Sequence, residues 1–244
     1  MSGNSGLQFC SQSEAKLTSD GVKAFIQDII AAGTESSAVT MEWAMSELLR
    51  HPEAMAGATG ELDRVVGRGR WVTERDLPDL PYIDAVVKET LRLHPVGPLL
   101  VPHLAREDTV VAGYDVPAGA RVLVNVWAIA RDPASWPDAP DAFRPERFLG
   151  GGAGSGVDVR GAHFELLPFG AGRRICPAYD LAMKLVAAGV ASMVQGFAWR
   201  LPDGVAPEDV SMEEHVGLST KWKVPLVAVA EPRLPAHLYD DATD

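Results

Sequence analysis

Apolar side chains near the start of the chain recur at helical spacing. After the caps offered by Thr18-Ser19-Asp20, they follow at intervals of four, three, four, three and four positions, which places them on one helical face. These positions are Phe25, Ile29, Ala32, Ser36, Val39 and Trp43, of which Ser36 is the one polar member. Pro52 lacks a backbone donor and forces His51 out of the helical region. The pattern therefore predicts one long helix over residues 18–50, followed by a second helix from Pro52 to Val66.

Shorter elements follow, in an order that combines helices with small sheets. A third helix is predicted over residues 82–93, ending at His94-Pro95. Beyond it, β-prone runs predict a small sheet within residues 96–125, and an alanine-rich stretch predicts a helix over residues 179–196. The β-prone runs are Leu99–Val101, Thr109–Val111 and Arg121–Asn125. Alternation around Lys223–Val229 predicts terminal strands within residues 205–230.

The composition restricts the class of partner. The chain has 244 residues, of which 33 are acidic and 22 basic, giving a formal net charge of -11. This balance disfavours nucleic acid as a partner. No run approaches the ~20 apolar residues of a membrane-spanning helix, and no secretion signal is recognised. We therefore expect a soluble, cytoplasmic chain without a membrane anchor. It would have a disordered polar leader over residues 1–17 and one mainly α domain with small β-sheets over residues 18–244.

The two cysteines, Cys10 and Cys176, lie in different surroundings. Cys176 follows two glycines and two arginines in the segment Pro168–Pro177 and precedes a predicted helix. Positive charge and a helix N-terminus favour the thiolate, the form of cysteine that binds metal. A tetrahedral zinc site is excluded, because no second cysteine and no cluster of histidines accompanies Cys176. A disulfide with Cys10 and a buried structural thiol remain alternatives, but a single thiolate suits an axial ligand of haem iron.

The segment around Cys176 resembles the haem-binding loop of the cytochrome P-450 superfamily, and this loop covers residues 168–178. The family pattern is Phe, two residues, Gly, one residue, Arg, one residue, Cys, one residue, Gly. Four positions match it: Phe169, Gly172, Arg174 and Cys176. Ala178 stands at the last glycine position. The resemblance implies haem b with Cys176 as its axial iron ligand, Arg174 against a propionate and Phe169 beside the sulfur. It also assigns Gly170 and Ala178 to the haem-binding loop.

Glu89 and Arg92 lie three positions apart on the third predicted helix, and therefore on one face. Taken alone, such a pair is an exposed ion pair worth a few tenths of a kcal/mol. Together with the segment Asp141–Phe148, however, it resembles the family's triad of one glutamate and two arginines. The resemblance assigns Glu89 and Arg92 to this triad, with Arg147 or Arg144 as the third member. The triad would hold the haem-binding loop in place.

A polar segment, Ala32–Ser37, lies within the long first helix. Gly33 costs roughly 1 kcal/mol there relative to alanine, and hydroxyl side chains compete with helical hydrogen bonds. One interpretation is a solvent-facing or helix-packing surface. The segment also resembles the family's oxygen-activation segment, which implies that Glu35 and Ser36 relay protons and that a helix distortion makes room for the ligand. On this view Gly33 contacts the haem and Ala32 lines the substrate pocket.

Two further segments resemble parts of the family that contact the substrate. The first follows the third helix, and its expected pocket residues are Val96, Gly97, Leu99 and Leu100. His103, at the end of that segment, falls where the family often has a residue touching a propionate, although an isolated histidine at a strand end is also typical of a surface. The second segment is the turn His215–Leu218, in which Gly217 would contact the substrate.

The sequences of the two longest motifs, Ala32–Ser37 and Pro168–Pro177, are similar to those of the plant microsomal A-type group. This group includes flavonoid 3'-hydroxylases and terpenoid-modifying relatives. The resemblance implies a monooxygenase that inserts one oxygen atom from dioxygen into a small lipophilic substrate, such as a plant secondary metabolite. Electrons would come from NADPH through NADPH-cytochrome reductase. Members of the group are anchored at the cytosolic face of the endoplasmic reticulum membrane, and this chain resembles their C-terminal half.

Two alternatives remain at the level of sequence. A haem-thiolate isomerase or dehydratase would share the cysteine loop, but such proteins usually lack the acid and the hydroxyl found here at Glu35 and Ser36. A truncated, haem-deficient or inactive fragment, acting at most as an interaction module, would share every motif without the activity.

Overall fold

The computed structural model describes residues 18–217 and 219–240 of the chain. Within these ranges the helices are α1 Ser19–Arg50, α2 Pro52–Val65, α3 Pro81–Leu93, α4 Val126–Ile129, α5 Tyr179–Gly196 and α6 His237–Asp240. Short 3-10 turns lie at Glu74–Asp79, Pro145–Phe148, Gly172–Arg174 and Pro207–Asp209. Helix is the dominant element, so the predicted mainly α class with small β-sheets is confirmed. The predicted leader, residues 1–17, lies outside the described residues.

α1 begins and ends where the sequence supplies caps. The Oγ1 of Thr18 accepts a hydrogen bond from the backbone N–H of Gly21 at 3.1 Å, which satisfies one of the free donors of the first turn. At the other end, His51 leaves the helical region with a φ of -121°, and Pro52 becomes the first residue of α2. Among the described residues, no helix combines the length and the apolar character needed to cross a membrane.

The main core forms where the second half of α1 packs against α3 and α5. Leu48 of α1, Val86 of α3 and Val190 of α5 are all fully buried in it. α1 and α5 approach so closely that a Cβ placed on Gly189 would overlap the Sδ of Met41. Any larger residue at this point of α5 would therefore force the side chain of Met41 to move.

The first half of α1 presents its apolar face to solvent. Phe25 and Ile29 are 63% and 55% exposed, whereas Val39 and Trp43, further along the same predicted face, are buried. The continuous apolar face expected from the sequence is therefore covered only over its second half. Ile26 and Ile30 extend the exposed surface, and we call these four side chains, Phe25, Ile26, Ile29 and Ile30, the open face of α1.

The described strands pair as two-stranded antiparallel ladders. The strands are β1 His103–Leu104, β2 Thr109–Val111, β3 Tyr114–Val116, β4 Arg121–Val122, β5 Phe197–Arg200, β6 Glu214–Val216, β7 Thr220–Trp222 and β8 Val229–Pro232. β1 pairs with β4, β2 with β3, β5 with β8 and β6 with β7. Residues 96–125 thus carry two separate ladders instead of the single small sheet that was predicted.

Two of the predicted strands are replaced by irregular backbone. In Leu99–Val101, the φ of Leu100 is 51° and its N–H donates to the carbonyl of Gly97 at 3.0 Å, so this run forms a turn. In Lys223–Val229 only the last residue joins a strand. Pro225 has no N–H, and the N–H of Leu226 donates to the side chain of Glu42 at 3.3 Å instead of to a neighbouring strand.

Candidate functional site

The residues before α5 fold into a tight loop around Cys176. The backbone N–H of Cys176 donates to the carbonyl of Phe169 at 2.9 Å, which closes the loop. Gly170 and Gly172 have φ values of 73° and 64°, in the left-handed region that favours glycine. We call Phe169–Cys176 the cysteine loop. Its shape follows from the two glycines, which allow the chain to reverse within a few residues.

Cys176 is a free, partly buried thiol just ahead of α5. The N-terminus of this helix directs free N–H groups and positive potential toward the loop. Ala178, at the position where the family has glycine, is the N-cap of α5 with a φ of -102°. Any residue adopts this φ, so the extra methyl group of Ala178 introduces no backbone strain.

A cavity of about 1480 Å³ opens beside the cysteine loop. Its walls come from α1, from the segment Val96–Arg106 after α3, from the cysteine loop and from the first turns of α5. The predicted site residues that line it are Ala32, Ser36, Val96, Gly97, Leu100, His103, Phe169, Gly170, Arg174 and Cys176. Within the described ranges, Gly33, Glu35, Leu99, Gly172, Ala178 and Gly217 do not line it.

Three of the predicted site residues lie outside the cavity wall and have other surroundings. Glu35 accepts a hydrogen bond from the Nζ of Lys221 at 2.8 Å, on the side of α1 that faces β7. This hydrogen bond, together with the charge of Lys221, lowers the pKa of Glu35, so the carboxyl is ionised. Gly217 lies in the exposed turn between β6 and β7, where its N–H donates to the carbonyl of Ser219. Leu99 lies in the turn described above and is 42% exposed.

The polar segment of α1 is regular helix, so the predicted distortion is not present. Each hydroxyl donates to the carbonyl four residues earlier: Ser36 to Ala32 at 2.6 Å and Ser37 to Gly33 at 3.3 Å. This arrangement satisfies the hydroxyls without displacing the helical hydrogen bonds. Thr40 donates in the same way to the carbonyl of Ser36.

Two buried hydroxyls and one arginine on the cavity wall were not anticipated from the sequence. Ser37 and Thr40 are nearly fully buried and line the cavity together with Ser36. Their spacing of three and four positions along α1 is the signal that would have identified them. Arg173 lines the cavity beside Arg174, and the consecutive arginines were visible in the sequence as a source of positive charge.

Glu89 lies at the centre of a buried charged network. Its two carboxylate oxygens accept hydrogen bonds from Arg92 at 2.7 and 2.9 Å, and Oε1 also accepts one from Nε of Arg147 at 2.9 Å. Arg144 contributes only its backbone N–H, at 2.8 Å from Oε1, and its side chain is exposed. The structure therefore places the guanidinium group of Arg147, and not that of Arg144, against Glu89.

The two buried arginines also fix the irregular chain between residues 130 and 142. Arg92 donates to the carbonyls of Ala130, Pro140 and Ala142, and Arg147 donates to those of Asp138, Ala139 and Ala142. Trp136, fully buried in this stretch, lies 5.3 Å from the guanidinium group of Arg92. Its indole N–H donates to the carbonyl of Glu165 at 3.3 Å, just before the cysteine loop. The network is thus connected to that loop through Trp136.

The donor groups around the cavity fit a haem. Arg173 and Arg174 border it, and neither is paired with a carboxylate of the described residues, so both are available to propionate groups. Within the same residues no group of three or more His, Cys, Asp or Glu could hold a metal ion, which leaves Cys176 as a single protein ligand. One thiol, two unpaired guanidinium groups and apolar walls match a thiolate-ligated haem, and do not match a zinc site.

Comparisons with known proteins agree with this geometry. The family model described as cytochrome P450 matches residues 3–225. The chain is 86% identical to a dimethylnonatriene synthase and 83% identical to a trimethyltridecatetraene synthase, both of Zea mays, covering 94% of this chain. It is 52% identical to a flavonoid 3'-monooxygenase of Arabidopsis thaliana over 91% of its length. The chain spans 41% to 43% of the length of these relatives.

A solved structure shares the fold. A zebra fish cytochrome P450 determined with progesterone superposes with a TM-score of 0.76 at 35% identity, over 88% of this chain and 46% of that protein. The resemblance inferred from the cysteine loop is confirmed, including the similarity to plant flavonoid 3'-monooxygenases. With a family match over most of its length and the cysteine loop beside a cavity suited to haem, the chain belongs to the cytochrome P450 family.

Proposed function

We propose that this chain forms the haem-binding part of a haem-thiolate monooxygenase. The observation that carries the proposal is the position of Cys176, a free thiol on the wall of a cavity that also contains two arginines without a carboxylate partner in the described part of the chain. When bound, haem b would supply the activation of dioxygen, with electrons from NADPH through a reductase at the endoplasmic reticulum membrane. One oxygen atom would be inserted into a small lipophilic substrate.

Several residues of the chain would hold the haem, each through a different contact. The sulfur of Cys176 would bind the iron, and the close hydrogen bond from its N–H to Phe169 fixes the loop that presents it. Arg174 and Arg173 would bind the propionates as charged donors. His103, at the rim of the cavity in β1, would add a further donor. The buried network of Glu89, through Trp136, would keep the loop in position.

Ser36, Ser37 and Thr40 would hold and move protons at the helical wall of the cavity. Their hydroxyls are the polar groups of α1 on this wall, and hydroxyl groups act as both donor and acceptor. Glu35 lies outside the cavity, where its carboxylate accepts a hydrogen bond from Lys221. A direct role of Glu35 in proton transfer would require this ion pair to open.

We further propose that the substrate is an acyclic, methyl-branched polyene precursor. The names of the two maize relatives describe hydrocarbon products with a methyl-branched chain and three or four double bonds, so an inserted oxygen atom would leave with a second product. Their identity to this chain is much higher than that of the flavonoid 3'-monooxygenase. The cavity wall beyond the cysteine loop is largely aliphatic, with Val96, Leu100 and Val186, and such a wall favours a flexible hydrocarbon through dispersion and burial of apolar surface.

A second candidate is an incomplete protein without enzymatic activity. It is favoured by the open face of α1, because large apolar side chains exposed side by side are typical of a surface that another polypeptide covers. The isomerase or dehydratase alternative gains no support from the cavity, since its wall carries the hydroxyl groups that a monooxygenase uses.

The haem proposal is tested by the carbon monoxide adduct of the reduced protein. Expressed with haem, the chain is expected to give the strongly red-shifted Soret band of a thiolate-ligated adduct. Cys176→Ser is expected to abolish this band, because an alcohol does not supply the thiolate. Arg160→Gln, in an exposed ion pair outside the cavity wall, serves as the matched control and should retain it. If the parent lacks the band and equals Cys176→Ser, the incomplete-protein candidate is correct.

The substrate proposal is tested in a chimera with the dimethylnonatriene synthase of Zea mays. The present chain would replace the matching segment of that relative, which is 86% identical. With a reductase and NADPH, the chimera is expected to oxidise acyclic methyl-branched terpenoids and to leave flavonoids unchanged. Product analysis by mass spectrometry gives the result. Oxidation of a flavonoid in preference to the acyclic terpenoid would contradict the substrate proposal without affecting the haem proposal.

A further inference from the structure

His94, at the end of α3, is a buried imidazole that the proposed chemistry does not use. It is 8% exposed, and its Nε2 lies 2.7 Å from the Oε1 of Glu47 on α1. Its ring stacks on Trp43, with 4.1 Å between the ring centres and an interplanar angle of 2°. The histidine therefore joins the ends of α1 and α3 by both a polar and a stacking contact.

A second carboxylate faces the other side of the imidazole. The Oε1 of Glu214, on β6, lies 3.8 Å from the Nδ1 of His94. The neighbouring charged groups are His51, 3.3 Å from Glu47, and Arg131, which donates to the carbonyl of Leu93. Burial opposes a charge on His94, but the contacts with Glu214 and Glu47 outweigh it and raise the pKa of His94 above its usual 6.5.

This cluster is connected directly to the wall of the cavity. The indole N–H of Trp43 donates to the carbonyl of Thr220 at 3.1 Å, and the N–H of Thr220 donates to the carbonyl of Val96 at 2.8 Å. Val96 and Gly97 line the cavity. Only Pro95 separates His94 from Val96. The cavity wall at Val96 is therefore connected to the cluster both along the backbone and through Thr220 of β7.

Burial of the polar atoms in this cluster opposes folding. Nδ1 of His94, Oγ1 of Thr220 and Nε1 of Trp222 are buried without a hydrogen-bond partner among the described residues. Trp222 packs against Trp43 at 4.7 Å, so these atoms belong to one neighbourhood. Replacement of buried polar and charged groups by apolar groups of the same size is often neutral or stabilising. A requirement for one fixed geometry would be a further reason, beside stability, for keeping this arrangement.

We propose that His94, held between Glu47 and Glu214 and stacked on Trp43, is a positioning residue that fixes Val96 and Gly97 relative to the β6–β7 hairpin. In doing so it sets how long a ligand the cavity accepts beyond the haem. The consequence for ligands rests on the proposed function. The geometric part, coupling of His94 to Val96 through Thr220, is independent of haem.

The test uses two substitutions and one matched control. His94→Gln removes the charge and the stacking ring. Glu214→Gln removes one facing carboxylate, which is 30% exposed, and leaves the core packing intact. Glu213→Gln is the control, because Glu213 is adjacent on the same hairpin but pairs with Lys223 on the surface. Urea unfolding identifies the variants that remain folded, and if His94→Gln does not fold, Glu214→Gln carries the test.

Two imidazole probes measure the cavity in the haem-loaded chain. Imidazole alone binds the iron, whereas 1-octylimidazole also extends along the wall. The preference for 1-octylimidazole over imidazole, from spectral titrations, is expected to fall at least threefold in His94→Gln and Glu214→Gln. The carbon monoxide adduct and the Kd of imidazole itself are expected to stay unchanged. An unchanged preference in Glu214→Gln, with the adduct intact, would overturn the proposal.

A second readout needs no haem. In NMR spectra of the labelled chain, His94 is expected to titrate above pH 6.5, and the amide signals of Val96 and Thr220 to follow the same titration. These amide signals are expected to shift in Glu214→Gln and to stay in place in Glu213→Gln. If the amide signals of Val96 and Thr220 do not shift as His94 titrates, His94 is not coupled to the cavity wall. If the coupling is seen but no thiolate adduct forms, the haem proposal fails while the positioning role stands.

Discussion

Replacement of Glu89 by glutamine is expected to lower the free energy of unfolding by about 3–5 kcal/mol at neutral pH. The carboxylate accepts four hydrogen bonds, from Arg92, Arg147 and the backbone of Arg144. Glutamine retains one acceptor oxygen and turns an N–H₂ group toward a guanidinium donor. Two buried arginines then lose their counter-charge at once, which costs far more than the loss of a surface ion pair.

Urea unfolding measures this loss, and Asp84→Asn provides the control. Asp84 pairs with Lys88 on the same helix, but its carboxylate is 48% exposed. Its replacement is expected to cost at most about 0.5 kcal/mol. A loss below about 1 kcal/mol for Glu89→Gln would show that the buried network contributes little. Because the arginines also bind carbonyls of residues 130–142, the variant is further expected to expose Trp136 to fluorescence quenchers.

Glu47→Gln is expected to lower the free energy of unfolding by about 3 kcal/mol between pH 4.5 and 6.5. Burial alone would raise the pKa of Glu47, but hydrogen bonds from His51 and His94 lower it from 4.5 to about 2. At about 1.4 kcal/mol per pH unit, a depression of this size corresponds to the stated loss. The carboxylate is nearly fully buried, so solvent screens the interaction little.

The stabilisation by Glu47 is lost at low pH, and the stabilisation by His94 is lost at high pH. The contribution of Glu47 is complete above pH 4.5 and is lost as the pH falls toward 2, where the folded protein also binds the proton. The contribution of the charged His94 is complete below pH 6.5 and is lost as the pH rises through its raised pKa. The difference in stability between Glu47→Gln and the parent should therefore be largest between these limits.

Urea unfolding of both proteins from pH 3 to pH 9 measures this difference. Glu107→Gln, at an exposed carboxylate, is the control and is expected to show no such maximum. A difference independent of pH would mean that Glu47 acts through packing and not through its charge.

The elements predicted from the sequence were those set by neighbouring residues. The cysteine loop follows from the glycines at 170 and 172, and Glu89 and Arg92 share a face because they are three positions apart. The third arginine could not be chosen from sequence, because Arg144 and Arg147 lie in the same short segment. Only the folded chain shows that one donates its guanidinium group and the other its backbone N–H.

The features that the sequence did not reveal depend on contacts between distant segments. Glu35 meets Lys221 from the far end of the chain, so its position outside the cavity had no local signal. The cluster of His94 joins residues from α1, α3 and β6, and none of its members is unusual within its own segment. Leu99–Val101 had strand composition, but the N–H of Leu100 donates to the carbonyl of Gly97 and closes a turn instead.

The hydroxyl groups of α1 have one arrangement in the structure, and rotation of their side chains would give a second. In the structure, Ser36 and Thr40 direct their protons back to carbonyls of the preceding turn, so these two hydroxyls offer a passing hydrocarbon no free donor. Rotation about a single bond turns either proton into the cavity, while the carbonyl keeps its helical partner. Such a rotation costs on the order of 1 kcal/mol, the net value of one hydrogen bond. In the rotated arrangement these hydroxyls would donate to a polar guest without any movement of the backbone.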